Sequence, residues 1–180
     1  MEINYTISKE ELVNFHIKHV TETKNYKDAT IGNTIFMILL IFLVFMLSKS
    51  SFYTISTSIM CFVFLLFRKK YMLIRIRQKL DKIFSFEKYN NYFEPTKLII
   101  DEYGLNLSTN LSQKTYKWNS LKDLYLIDSY IFIRTTTHDD ILIPIESFTL
   151  PENKDFFINS IIDNTNLRLR NQYPMDFKYQ

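Results

Sequence analysis

In 180 residues the sequence holds one cysteine, one tryptophan and two glycines. The lone thiol, Cys61, excludes an internal disulfide and a cysteine zinc site, and its place inside an apolar run reads as a buried structural residue. Gly32 and Gly104 are too few and too far apart to write a P-loop or a dinucleotide fingerprint, so the enzymes built on a glycine-rich phosphate turn are excluded. Charge is missing altogether from Ala29 to Ser48 and again from Ser50 to Phe67. Across the chain 22 Lys and Arg face 19 Asp and Glu, and a net charge of +3 with a pI near 8.8 is too mild to imply nucleic acid unless the basic residues cluster. A hydrophobic fraction of 47% beside a mean hydropathy of −0.09 requires the apolar residues to be concentrated. They are, between Ile31 and Phe67.

"IFMILLIFLVFML", from Ile35 to Leu47, is apolar throughout, and about twenty uncharged residues at ~1.5 Å each cover a hydrocarbon core of roughly 30 Å. The second run carries Ser51, Thr54, Ser56, Thr57 and Ser58, whose hydroxyls can bond helix carbonyls, so it also spans if it packs against the first. The connection is Ser48, Lys49 and Ser50, which makes the pair a hairpin. Lys18, Lys24 and Lys27 before the first run, and the basic residues after the second, outweigh Lys49 in the turn. The positive-inside rule therefore puts both termini in the cytoplasm of a two-pass cell-membrane protein. The polar, acidic start "MEINYTISKEEL" and the late apolar run argue against a cleaved secretory signal.

Before the hairpin, Ile3, Tyr5 and Ile7 alternate as in a strand. Ser8 and Glu11 then write a capping box, with Ile7 and Leu12 as a hydrophobic staple, and predict a helix over about 9–20. His16 and His19 lie one turn apart on it and are expected to be an exposed or interfacial pair rather than metal ligands. After the hairpin, Arg68, Lys69, Lys70, Arg75, Arg77, Lys79 and Lys82 surround a stripe of Leu73, Ile76, Leu80 and Ile83, with Asp81 as the one acid. This reads as a juxtamembrane helix contacting an anionic inner leaflet, a simpler partner at this position than nucleic acid.

Beyond Pro95 the rhythm changes to period two. "KLIID", "LNLST", "TYKW", "LKDLYLID", "YIFIRTTT" and "DDILIPI" read as six short strands, and "LPENKDFFINSIIDN" as a helix with Pro151 at its start and Phe157, Ile158, Ile161 and Ile162 on one face. The expected fold is α+β: a two-helix transmembrane hairpin and a small antiparallel sheet or partial barrel closed by a C-terminal helix. The expected divisions are 1–28 (strand and helix), 29–67 (hairpin), 68–94 (basic helix and linker), 95–165 (sheet domain) and 166–180 (tail). Trp118, Leu121, Leu124, Leu126, Ile131 and Ile133 are expected in the core of the sheet, with Trp118 alternatively a partner anchor.

The order of "DEYGL", "YKWNSL", "YIFI" and "ILIPIESF" before a helix with paired apolar residues resembles the C-terminal domain of the YcxB-like family of bacterial membrane proteins. The resemblance rests chiefly on Trp118, Ile143, Pro144 and Phe148, as core or partner anchor. It implies a pleckstrin-homology-like sheet, joined by the N-terminal strand across the hairpin, and brings no catalytic residues, metal or cofactor. Asp101, Glu102, His138, Asp139 and Asp140 fall in expected turns without a nucleophile beside them, so an enzyme is the least favoured class. A non-enzymatic binding or regulatory module with an unidentified protein partner is the leading expectation, and a homo-oligomer stays open. The runner-up is an immunity protein against a toxin or bacteriocin, which the Ile-, Asn-, Lys-, Tyr- and Phe-rich composition of an AT-biased bacterial genome would suit.

Overall fold

A computed structural model describes residues 1–137 and 139–176, leaving His138 of the expected hairpin tip and the last four residues of the expected tail outside it. The chain forms two compact units. One comprises Met1–Leu12 and Phe84–Tyr173, the other Val13–Ile83 with the residues from Pro174 on.

The first unit opens with β1 (Glu2–Tyr5) and the start of α1 (Lys9–His19). The capping box forms as written: Ser8 Oγ accepts from the Glu11 amide at 3.1 Å, and the Glu11 carboxylate accepts from the Ser8 amide at 2.7 Å. After a 3₁₀ segment at Glu87–Phe93 come β2 (Thr96–Ile100), β3 (Gly104–Ser108) and β4 (Gln113–Lys117). β1 pairs antiparallel with β2, so the N-terminal strand joins across the intervening hairpin and completes a sheet ordered β1-β2-β3-β4.

β5 (Leu121–Ile127), β6 (Tyr130–Thr135) and β7 (Ile141–Pro144) form a second sheet rather than continuing the first. The break is the 3₁₀ turn Trp118–Ser120 between β4 and β5. The turn takes Trp118 out of the strand where the sequence pattern puts it. A fourth strand, β8 (Leu169–Arg170), comes from the segment expected to be a tail and pairs parallel with β5 at Leu124 and Tyr125. α4 (Pro151–Thr165) starts with proline in its first turn and stops where Asn166 takes a left-handed conformation, its amide donating to the Ile162 carbonyl.

The inner faces of both sheets and α4 share one core. Leu98, Leu105, Leu124, Ile131, Ile133, Ile143, Phe157 and Ile161 are fully buried there. Leu121 is buried as expected, whereas Leu126 is half-buried. Ile131 and Ile133 alternate inward as period two requires, yet Phe132 and Arg134, on the opposite face of β6, are buried as well. Phe132 stacks on Tyr173 at 6.2 Å with the rings nearly parallel and meets Tyr125 at 5.8 Å, so the segment after α4 covers the second face of β6.

The second unit holds the rest of α1, then α2 (Lys24–Ser48) and α3 (Ser51–Ile83). Thr23 caps α2, its hydroxyl accepting from the Tyr26 amide. Lys49 ends the helix in a left-handed conformation, with its amide on the Phe45 carbonyl. Ser48, Thr54 and Ser58 bond the carbonyls of Val44, Ser50 and Thr54, so these hydroxyls are satisfied within their own helices. α3 passes through Phe67 and Arg68 without interruption. The basic segment is therefore the second half of the same helix, not a separate element.

Candidate functional site

Every residue of α2 is exposed or half-buried, and Cys61 and Leu80 are the buried residues of α3. Phe36, Leu39, Phe42, Phe45 and Leu47 on α2, and Phe52, Ile59, Phe62 and Phe67 on α3, are all more than half exposed. Both helices are long and apolar enough to cross a membrane. Apolar side chains on all sides of a helix mark one whose surroundings are themselves apolar.

The two helices meet through polar groups near the end far from the Lys49 turn. One guanidinium nitrogen of Arg68 donates to the Thr30 carbonyl at 3.2 Å and to the Thr34 hydroxyl, and Asn33 reaches the Met72 sulfur at 3.9 Å. This register runs antiparallel, as a two-residue connection demands. Arg68 is half-buried in consequence, unlike the other six basic residues expected at a membrane surface. Lys69, Lys70, Arg75, Arg77, Lys79 and Lys82 are exposed.

At roughly 100° per residue, Arg68, Arg75, Lys79 and Lys82 fall on one flank of α3 and Lys70 and Arg77 on the other. The stripe of Leu73, Ile76, Leu80 and Ile83 runs between the flanks and is buried or half-buried along its length. Arg75 is steadied by its own helix: its Nε donates to the Tyr71 hydroxyl at 2.9 Å and the guanidinium lies over that ring.

In the sheet unit Ile143, Pro144 and Phe148 are buried. Trp118 is half-buried at the edge of the core, and its indole Nε1 donates to the Glu102 carbonyl at 3.0 Å. Asp101 organises the turn below it, accepting from the amides of Tyr103 at 2.8 Å and Gly104 at 3.0 Å and from the Asn106 side chain. Trp118 thus fastens the β2–β3 turn to the corner where the chain changes sheets.

Of the exposed or interfacial placement expected for His16 and His19, exposure does not hold. Both are buried against the edge of Phe15, and burial, then the neighbouring His19, pull His16 down to about 3. The His16 imidazole so placed stays neutral at physiological pH and adds no charge to the basic end of the chain. His19 Nδ1 stands 3.4 Å from the Glu22 carboxylate.

Two polar clusters escaped the sequence pattern. Asp123 faces Arg134 at 3.8 Å and Arg170 at 3.1 Å, with Arg170 also over the Tyr125 ring. The two-residue turn Asp128–Ser129 makes Asp123 and Arg134 direct cross-strand partners, so counting back from that turn would have found the pair. Arg170 could not be found so, because it arrives on β8. The second cluster joins Asp139 to the Lys114 ammonium at 3.1 Å and to the Tyr92 hydroxyl at 3.3 Å; burial and then the Asp139 charge raise the Tyr92 phenol above its usual range. Asp140 accepts from the Thr135 amide. Comparisons with protein-family models, curated proteins and solved structures find no match to this chain, so the YcxB-like resemblance stands on the sequence features that carry it.

Proposed function

We propose that this chain is a two-pass integral membrane protein whose sheet unit is a cytoplasmic, non-enzymatic binding module of YcxB-like type, held at an anionic leaflet. The observation that carries the reading is the exposure of the large apolar side chains around α2 and the first half of α3. Each such side chain left in water forgoes ~1.5–3 kcal/mol of transfer free energy, and the combined surface is far beyond the apolar patch a soluble monomer tolerates. From Ser51 to Phe67 the second helix covers ~25 Å at 1.5 Å per residue, short of a full core but within the range that bilayer thinning and flanking basic residues accommodate. The Lys and Arg asymmetry about the Lys49 turn supports cytoplasmic termini.

Binding rather than catalysis is supported by how the acids of the sheet unit are used. Asp101 holds its turn, Asp123 lies between two arginines, Asp139 joins Lys114 to Tyr92, and Asp140 caps the Thr135 amide. Each is engaged in a bond that shapes the fold.

Topology tests the reading. In a Cys61→Ser background, Lys49→Cys in intact cells should react with a membrane-impermeant maleimide, whereas Leu111→Cys, on the exposed β3–β4 turn, should react after permeabilisation alone. Release of the protein from membranes by alkaline carbonate, or external labelling at Leu111→Cys, refutes it.

A further inference from the structure

We propose that Arg68 and Lys27 form a binding site for the headgroup phosphodiester of an anionic phospholipid at the open end of the helix hairpin. The site rests on the membrane reading above and singles out one position among seven basic residues that a diffuse electrostatic contact would treat alike. Arg68 differs from the rest in its partners. It is half-buried, yet its bonds go to neutral acceptors, the Thr30 carbonyl and the Thr34 hydroxyl, through a single terminal nitrogen. Among the described residues no carboxylate pairs with it. The guanidinium carries five N–H donors in a fixed fork, and the face not turned to α2 is left to bond a planar or tetrahedral oxyanion.

A half-buried cation without a counter-ion is costly in an apolar medium, and the usual resolution is an anion supplied from outside. Position names that anion. The ~26 Å of helix from Ser51 to Arg68, at 1.5 Å per residue, sets the guanidinium at the cytoplasmic limit of the hydrocarbon core, where lipid phosphates lie.

Lys27 completes the site. It stands three residues before Thr30 and seven before Thr34, hence on the face of α2 that meets Arg68, and its exposed ammonium has no partner among the described residues. Thr30 Oγ1, beside the Arg68 contact, is buried and unbonded, a further donor at the same level. With Lys69 and Lys70 adjacent, a headgroup bearing its own cation is disfavoured and a net-anionic one preferred.

The purified full-length protein, exchanged in mild detergent with equal phosphatidylglycerol and phosphatidylcholine and then washed, should retain phosphatidylglycerol at least tenfold in excess by native mass spectrometry. Lys27→Gln, which removes an exposed side chain, and Arg68→Gln should each cut that retention about tenfold; Lys79→Gln, an equal loss of charge on the same helix as Arg68, should change it less than twofold. Equal losses in all three variants would overturn the site in favour of diffuse attraction. Displacement of the lipid by millimolar inorganic phosphate would overturn its assignment to a lipid. Carbonate release of the wild-type protein refutes the membrane reading itself, while an integral protein without selective retention refutes this site and leaves that reading standing.

Discussion

Gly104→Ala is the substitution for which the fold leaves least room. Gly104 opens β3 with φ of +152°, a conformation that side-chain-bearing residues rarely adopt. A methyl group there would lie 2.0 Å from the Tyr116 carbonyl oxygen, 2.9 Å from its carbon and 3.0 Å from Lys117 Cα. All three atoms are backbone in the paired strand β4, so no rotamer change relieves the contact. The conformational strain costs ~1–3 kcal/mol and forcing the strands apart a further ~1–3 kcal/mol, so a value on the low side of the combined range is ~3 kcal/mol. For a unit of about 100 residues, where 1 kcal/mol is worth ~4–8 °C, melting should fall by at least ~12 °C. The assay is thermal unfolding of the purified full-length protein, followed through hydrogen-exchange protection of the β2–β4 amides. Gly32→Ala is the internal control: nothing lies within 4 Å of the added methyl, and alanine suits a helix interior better, so stability should hold or rise by up to ~1 kcal/mol. A drop below ~1 kcal/mol for Gly104→Ala would refute the claim that the β3–β4 register needs a glycine at its start.

Trp118 separates packing from hydrogen bonding. Trp118→Phe should cost ~1 kcal/mol by losing the bond to Glu102, and Trp118→Ala ~2 kcal/mol, below the ~3–5 kcal/mol of a fully buried indole; equal stability of all three proteins in chemical melts would make the residue a partner anchor instead. His16, with a folded-state pKa drawn far below 6.5 by burial, contributes stability that is complete above about pH 6.5 and is lost as pH falls toward the folded value. Its share of the slope is at most ~1.4 kcal/mol per pH unit, and His16→Leu should flatten the decline in melting temperature between pH 6.5 and 4.5. An unchanged pH profile in that variant would show that the ring is solvated.

The hairpin was legible because its cause is local. Length without charge, a short connection at Ser48–Ser50 and a cluster of basic residues are properties of contiguous sequence, and so are the Ser8–Glu11 cap and the period-two strands. α3 ran past its expected end because nothing between Phe67 and Lys82 breaks a helix: Arg, Lys, Leu and Met are good helix formers, and a change from apolar to basic alters the surroundings without ending the backbone bonds. Other features depended on which distant segments meet. His16 looks polar in the sequence and is buried because packing, not residue type, sets its exposure. Phe132 alternates away from the core like a solvent-facing residue, and becomes internal because Tyr173 returns from some forty residues later to stack on it. Arg68 is the sharpest case. In sequence it is one of seven similar charges. The antiparallel register of α2 and α3, which sets it against Thr30 and Thr34, distinguishes it from the others, because a helix face acquires its chemistry from the face opposite.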